Sequence, residues 1–187
     1  RARVDQMKQG FPNEQAFRLS RVQAPSIAAV LRLDRVTAAR GDEIVATLHY
    51  NNTGSGMSLR AWANWSFGGN YGLIGLSPAA PYSPLPDGLS VAFADIAPGP
   101  HALSARLRVV RGMTDGLPMG VQVGWAATDA NGNPLPDTIL SETVQLLAPS
   151  LTLAVSPSSA RVEAASIFQV NLTIRNAGRA AGTGWLN

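Results

Sequence analysis

The sequence predicts an all-β protein: an antiparallel sandwich of seven to eight strands in two layers, followed by the first strands of a second copy. Three observations carry this prediction. Apolar residues recur at every second position, the period of a half-buried strand, and not at the third and fourth positions of a helix. Glycine, proline and asparagine cut the pattern about every 10 to 15 residues, as turns between short strands do. A strand with its closing turn also returns 124 residues later in the same register.

The elements follow in order. Residues 1–27 read as an N-terminal arm or the end of a preceding domain, because Phe11-Pro12-Asn13-Glu14 can open a helical turn through Phe17 and Leu19 but the stretch is short and polar. Ala29 to Val36 supplies an extended first strand, and Arg40-Gly41-Asp42-Glu43 a turn. In the clearest strand Ile44, Ala46, Leu48 and Tyr50 face one way and Val45, Thr47 and His49 the other, so one face is core. Asn51-Asn52-Thr53-Gly54-Ser55-Gly56 then reverses the chain. Leu59, Ala61, Ala63 and Trp65 alternate with Arg60, Trp62 and Asn64, and Gly68-Gly69-Asn70 turns toward Tyr71–Leu76. Ser77 to Gly88 holds four prolines and reads as a loop, since proline cannot donate to a central ladder. Further strands follow around Leu89 to Phe93, Leu103 to Val109, Val121 to Ala127 and Ile139 to Leu147. Residues 28–148 thus form one immunoglobulin-like sandwich, its core filled by alternating side chains from both layers.

The echo is specific. Ile44, Ala46, Leu48, Tyr50 and Asn52-x-Gly54 correspond to Phe168, Val170, Leu172, Ile174 and Asn176-x-Gly178, and Leu31 and Val155 each stand 13 residues before the first of these. Residues 149–187 therefore read as the truncated start of a second sandwich repeat, reached through the short joint Leu147-Ala148-Pro149-Ser150. Thirty-nine residues cannot close a sandwich, so this segment is expected to pair with the first unit, swap with another molecule or stay partly disordered.

The leading strand followed by Gly41-Asp42-Glu43-Ile44-Val45-Ala46-Thr47-Leu48-His49-Tyr50-Asn51-Asn52-Thr53-Gly54 resembles the tandem immunoglobulin-like repeats of prokaryotic cell-surface proteins, including those related to bacterial cell-adhesion domains. The resemblance covers residues 28–56 and, more loosely, 151–178, where Ala165-Ser166 replaces Gly41-Asp42. It implies an extracellular or cell-surface setting, a structural or adhesion role spacing or presenting other domains, neighbouring domains of the same chain as partners, and no catalysis.

Charge restricts the partners further. Charged residues make up 14% of the chain, against about 25% in a typical soluble domain. The net charge of +3 is unevenly placed: Arg1, Arg3, Lys8, Arg18 and Arg21 precede residue 29, whereas residues 29–148 carry seven arginines against nine acids. A nucleic-acid binder concentrates positive charge on its folded surface, so no nucleic-acid partner is expected. No run approaches the 18 apolar residues of a membrane span, and the absence of cysteine removes disulfides and thiolate chemistry together.

Few residues suggest chemistry. His49 and His101 stand alone, without metal-ligand spacing, and no serine lies in a Gly-x-Ser-x-Gly or Ser-x-x-Lys setting. Asp87, Asp95, Asp115, Asp129, Asp137 and Glu142 fall mostly between strands, where solvated turns are the ordinary role, so no catalytic residue and no resident cofactor are expected. Asp129, Asn131 and Asn133, with Asp137 beyond, offer the alternating oxygens of a calcium loop, but Asn131-Gly132 between strands is also the signal of a tight hairpin. Trp62, Trp65, Tyr71 and Tyr82 are candidates for a glycan- or protein-binding platform, although Trp62 and Trp65 cannot face the same way on a regular strand. The alternative to a structural role is therefore a carbohydrate- or protein-binding module, or an accessory domain of a secreted hydrolase.

Overall fold

The structure is a computed structural model that describes residues 23–111, 114–158 and 161–183. The expected N-terminal arm lies outside the described residues except for positions 23–27, the last of which already belongs to the first strand.

Among the described residues twelve strands follow in chain order. They are β1 (Ile27–Leu33), β2 (Thr37–Ala39), β3 (Glu43–Asn52), β4 (Ser58–Ser66), β5 (Tyr71–Ser77), β6 (Tyr82–Leu85), β7 (Gly88–Ile96), β8 (Gly99–Val109), β9 (Pro118–Ala127), β10 (Thr138–Leu147), β11 (Leu151–Pro157) and β12 (Val170–Asn176). One sheet runs β1-β3-β8-β5 and the other β2-β10-β9-β4-β7-β6, while β11 and β12 pair only with each other. Every pairing is antiparallel except that of β2 with β10.

The sandwich therefore holds ten strands where the pattern predicts seven or eight. The short β2 spans three residues, too few to show a period. The other addition, β6, lies inside the proline-rich stretch that reads as a loop. It is an edge strand, the place in a sheet where Pro84 is tolerated.

The alternation in β3 is realised in full: Ile44, Ala46 and Leu48 are sealed in the core and His49 and Asn51 are exposed on the far face. Opposite them the second layer contributes Ala61, Ala63, Trp65, Val91, Val121, Val123, Trp125, Val144 and Leu146. An aromatic cluster closes one end across the two layers. Tyr50 of β3 lies 5.0 Å from Trp125 and 5.3 Å from Phe93, both of the other sheet, and stacks on His101 of β8 at 5.2 Å. Burying such side chains stabilises the fold by about 1.5–3 kcal/mol each.

The sequence echo at 124 residues coincides with matching strand pairings. β1 pairs with β3 so that Ile27 meets Asn52, Leu31 meets Leu48 and Leu33 meets Ala46. β11 pairs with β12 so that Leu151 meets Asn176, Val155 meets Leu172 and Pro157 meets Val170, each partner displaced by 124 residues. The closing turns match as well. Asn52 Oδ1 accepts from the backbone N–H groups of Ser26 and Gly54, both at 3.1 Å, and its Nδ2 donates to Gly56 O at 2.8 Å. Asn176 does the same with Ser150 N, Gly178 N and Ala180 O at 3.0, 3.0 and 2.8 Å. The chain entering each strand pair is Ala-Pro-Ser in both copies, at 24–26 and 148–150.

The described part of residues 151–187 follows none of the three expected fates: β11 and β12 pair with each other as a ribbon, and every residue of both is exposed. In the first copy the inward face of the matching strands is covered by β9 and β10. In the second no layer covers it among the described residues.

Candidate functional site

The four aromatic residues singled out by the sequence go to three different places. β4 alternates, so Ala61, Ala63 and Trp65 enter the core while Trp62 and Asn64 stand on the outer face of the six-stranded sheet. Burial takes Trp65 out of reach of any ligand: it is 1% exposed, and its Nε1 hydrogen finds no acceptor among the described residues. Tyr71 is also core. Its hydroxyl donates to Met119 O at 3.2 Å, and burial pushes its phenol pKa up to about 12. Tyr82, half exposed on β6, shares with Tyr71, Phe67, Leu73 and Leu85 a cleft of about 280 Å³ between the free edges of the two sheets.

Trp62 is thus the one member of the set on a sheet face. Its lateral neighbours are Ala92 of β7 and Ala126 of β9, side chains too short to cover an indole. The next row holds Asn64 between Ser90 and Gly124, with Ser90 Oγ donating to Asn64 Oδ1 at 2.6 Å. Beyond it Ser66 pairs with Gln122. A part-exposed indole among amides, hydroxyls and small apolar side chains can stack on a flat apolar ring face and hydrogen-bond neutral polar groups.

The loop that reads as either a calcium site or a hairpin is built as a hairpin. Asp129 Oδ1 accepts from Asn131 N and Asn133 N, and Oδ2 accepts from Asn133 Nδ2, all at 2.8 Å. Gly132 supplies the positive φ of 83° at the turn, and Thr128 bridges to Pro134. N–H donors thus occupy the carboxylate that calcium would require, and Asn133 turns its amide nitrogen toward it. The Asn133 side-chain bond is the main reason the Asp129 carboxyl is held below its usual range. Asp137 is exposed and takes no part in this turn. Among the described residues no group of three or more His, Cys, Asp or Glu side chains could hold a metal ion.

Most of the remaining polar residues have structural work. His49 is exposed, while the His101 ring lies on Tyr50 with Nε2 3.0 Å from Ala97 O. Buried Ser58 donates to Thr128 O at 2.6 Å. Glu43 joins two strands: Arg108 and Arg106 of β8 each donate to one of its oxygens at 2.8 and 2.7 Å, and these bonds, Arg108 first, lower its pKa. Asp115 is more than the solvated turn residue its sequence position suggests. It accepts Ala148 N–H at 3.0 Å and the Arg179 Nε–H at 3.0 Å, a pairing across 64 residues that no sequence pattern announces.

No family model matches the chain, and no curated protein matches it. Solved structures do. The major pilin subunit BcpA of Bacillus cereus, in its D312A form, aligns with a TM-score of 0.53 at 6% identity, over 83% of this chain and 56% of that one. A chain of a type I cohesin–dockerin complex from Clostridium thermocellum aligns with a TM-score of 0.51 at 12% identity, over 64% of this chain and 99% of that one. The chain spans little more than half the length of the pilin subunit. At such identities the likeness is one of fold, and the fold of this chain is a β-sandwich similar to those of a bacterial pilin subunit and of a cohesin–dockerin complex.

Proposed function

We propose that this chain is a noncatalytic structural or adhesion module of an extracellular, cell-surface protein, one unit of a tandem array that spaces or presents other domains. The observation that carries the reading is the return of one strand pairing, one asparagine clamp and one Ala-Pro-Ser entry at a fixed separation of 124 residues. An array folds by stacking like units, and such units are selected for closing robustly rather than for chemistry. The sparse charge, the structural engagement of His101 and the sandwich shared with a pilin subunit support the same reading.

The test is to extend the chain by the length of one further repeat and follow amide exchange in β12. Tandem architecture requires a second cooperative unfolding transition and strong protection of Leu172 and Ile174. An extended chain that leaves those amides as exchangeable as before contradicts it.

The outer face around Trp62 favours a second reading, a carbohydrate- or protein-binding module. A glycan or peptide array probed with the chain and with Trp62→Ala tests it. Binding lost in the variant while the unfolding midpoint stays unchanged supports this reading, and equal binding by both chains removes it.

A further inference from the structure

Ala148 belongs to two units at once. Its N–H donates to Asp115 Oδ1 at 3.0 Å, its carbonyl oxygen accepts Ala180 N–H at 3.4 Å, and its side chain is buried. Asp115 stands in the turn Thr114–Leu117 ahead of β9. That turn is bolted to the end of β10: Gly116 N donates to Leu146 O at 2.8 Å and Leu146 N to Leu117 O at 2.9 Å. The carboxylate therefore sits on a rigid part of the sandwich.

The same carboxylate also receives Arg179 from the turn after β12, with Nε 3.0 Å from Oδ2 and 3.3 Å from Oδ1. Gly116 beside it takes a positive φ of 79°, the left-handed conformation that lets the turn present the Asp115 carboxylate. On the ribbon side, Gly178 lies so close to the linker that a Cβ would run into Ala148 O, Ser150 N and the Pro149 carbonyl carbon. Asn176 fixes Ser150 N and Ala180 O. Ala148-Pro149-Ser150 is thus held by Asp115 behind and by Asn176 ahead, and Pro149 has its own φ locked.

We propose that Asp115 is the positioning residue of a rigid joint, fixing the angle between the sandwich and the unit opened by β11 and β12 by clasping the linker and Arg179 together. For longer chains the inference rests on reading the ribbon as the front of a further unit. Relative motion is the default for neighbouring units that share little buried area, so a fixed angle needs a specific clasp. An isolated surface ion pair contributes little to stability, but here it acts on orientation together with a backbone bond at Ala148, the first residue of the linker. The clasp is particular to this joint: Ser55 stands in the first copy where Arg179 stands in the second.

The chain has no cysteine, so spin labels at two introduced cysteines, Thr143→Cys on β10 and Thr173→Cys on β12, report the joint without background. The distance distribution measured by pulsed dipolar spectroscopy should be narrow, Asp115→Ala should widen it by about twofold or more, and Asp115→Asn, which keeps the linker acceptor but loses the charge, should lie between. Arg179→Ala, away from the core, should widen it too and serves if Asp115→Ala fails to fold. A distribution as narrow in Arg179→Ala and Asp115→Ala as in the parent overturns the clasp. Amide exchange in the labelled parent separates the two claims: unprotected amides at Asn171 and Arg175, which face β11, overturn the ribbon itself, whereas protection there with a broad parent distribution overturns only the joint.

Discussion

Leu48 and Leu172 occupy the same place in two copies of one strand pair, opposite Leu31 and Val155, yet Leu48 is completely buried and Leu172 is 51% exposed. The local pattern is the same, and the difference lies in the layer that covers it. Leu48 has Val121, Val123 and Trp125 across the sandwich, while Leu172 has no second sheet over it among the described residues. Leu48→Ala should therefore cost about 2–5 kcal/mol in urea unfolding, and Leu172→Ala less than about 1. Equal costs would mean that the ribbon is covered in solution.

The buried amide of Asn52 closes the first turn with four bonds, donating to Ile96 O at 3.1 Å in addition to the three it shares with its counterpart. Asn52→Ala leaves the buried carbonyls of Gly56 and Ile96 without this donor and the part-buried N–H groups of Ser26 and Gly54 without their acceptor, and should destabilise the sandwich by about 2–4 kcal/mol. Asn176→Ala, in an exposed turn that water can reach, should cost less than about 1 kcal/mol. Paired urea titrations compare them directly.

Acid should weaken the fold through Glu43 and Asp129. Both carboxyls have native pKa values below their ordinary 4.5 and 3.8, so the unfolded chain binds protons first as pH falls. Their contribution is complete above the ordinary carboxylate range and disappears as pH drops through the lower native values. Glu43→Gln should be less stable than the parent at pH 7, and the gap should close toward pH 2. Unfolding midpoints across that range measure it, and a gap that widens in acid refutes it.

Calcium should leave the thermal midpoint unchanged, because N–H donors already fill the Asp129 carboxylate. Asp129→Ala should lower the midpoint by the same amount with and without millimolar calcium. A calcium-dependent rise that this variant abolishes would show a metal loop instead of a hairpin.

Much of the fold was legible because a strand writes itself into sequence with a period of two. β3, the opposed directions of Trp62 and Trp65 and the second copy of β3 could all be read from side-chain order. β2 and β6 could not, since three residues carry no period and Pro84 disguises an edge strand as a loop. The asparagine clamp left a visible sign in its Asn-x-Gly spacing, and the recurring Ala-Pro-Ser marks where each copy begins. The platform residues were separated by something sequence does not record: which sheet each strand joins. Both Tyr71 and Tyr82 fall on edge strands, one in each sheet, and only the packing between the layers buries Tyr71 and leaves Tyr82 half exposed.

By itself the sequence determined an all-β chain, the inward face of its central strand and the recurrence of one strand-and-turn pattern after 124 residues, because alternation and turn chemistry are local properties. Only the tertiary structure decided which copy is sealed, which tryptophan meets solvent and that Asp115 grips the linker and Arg179, because these depend on surfaces brought together from distant parts of the chain. Burial and long-range pairing are decided by the partner across the gap, and no single strand carries that information.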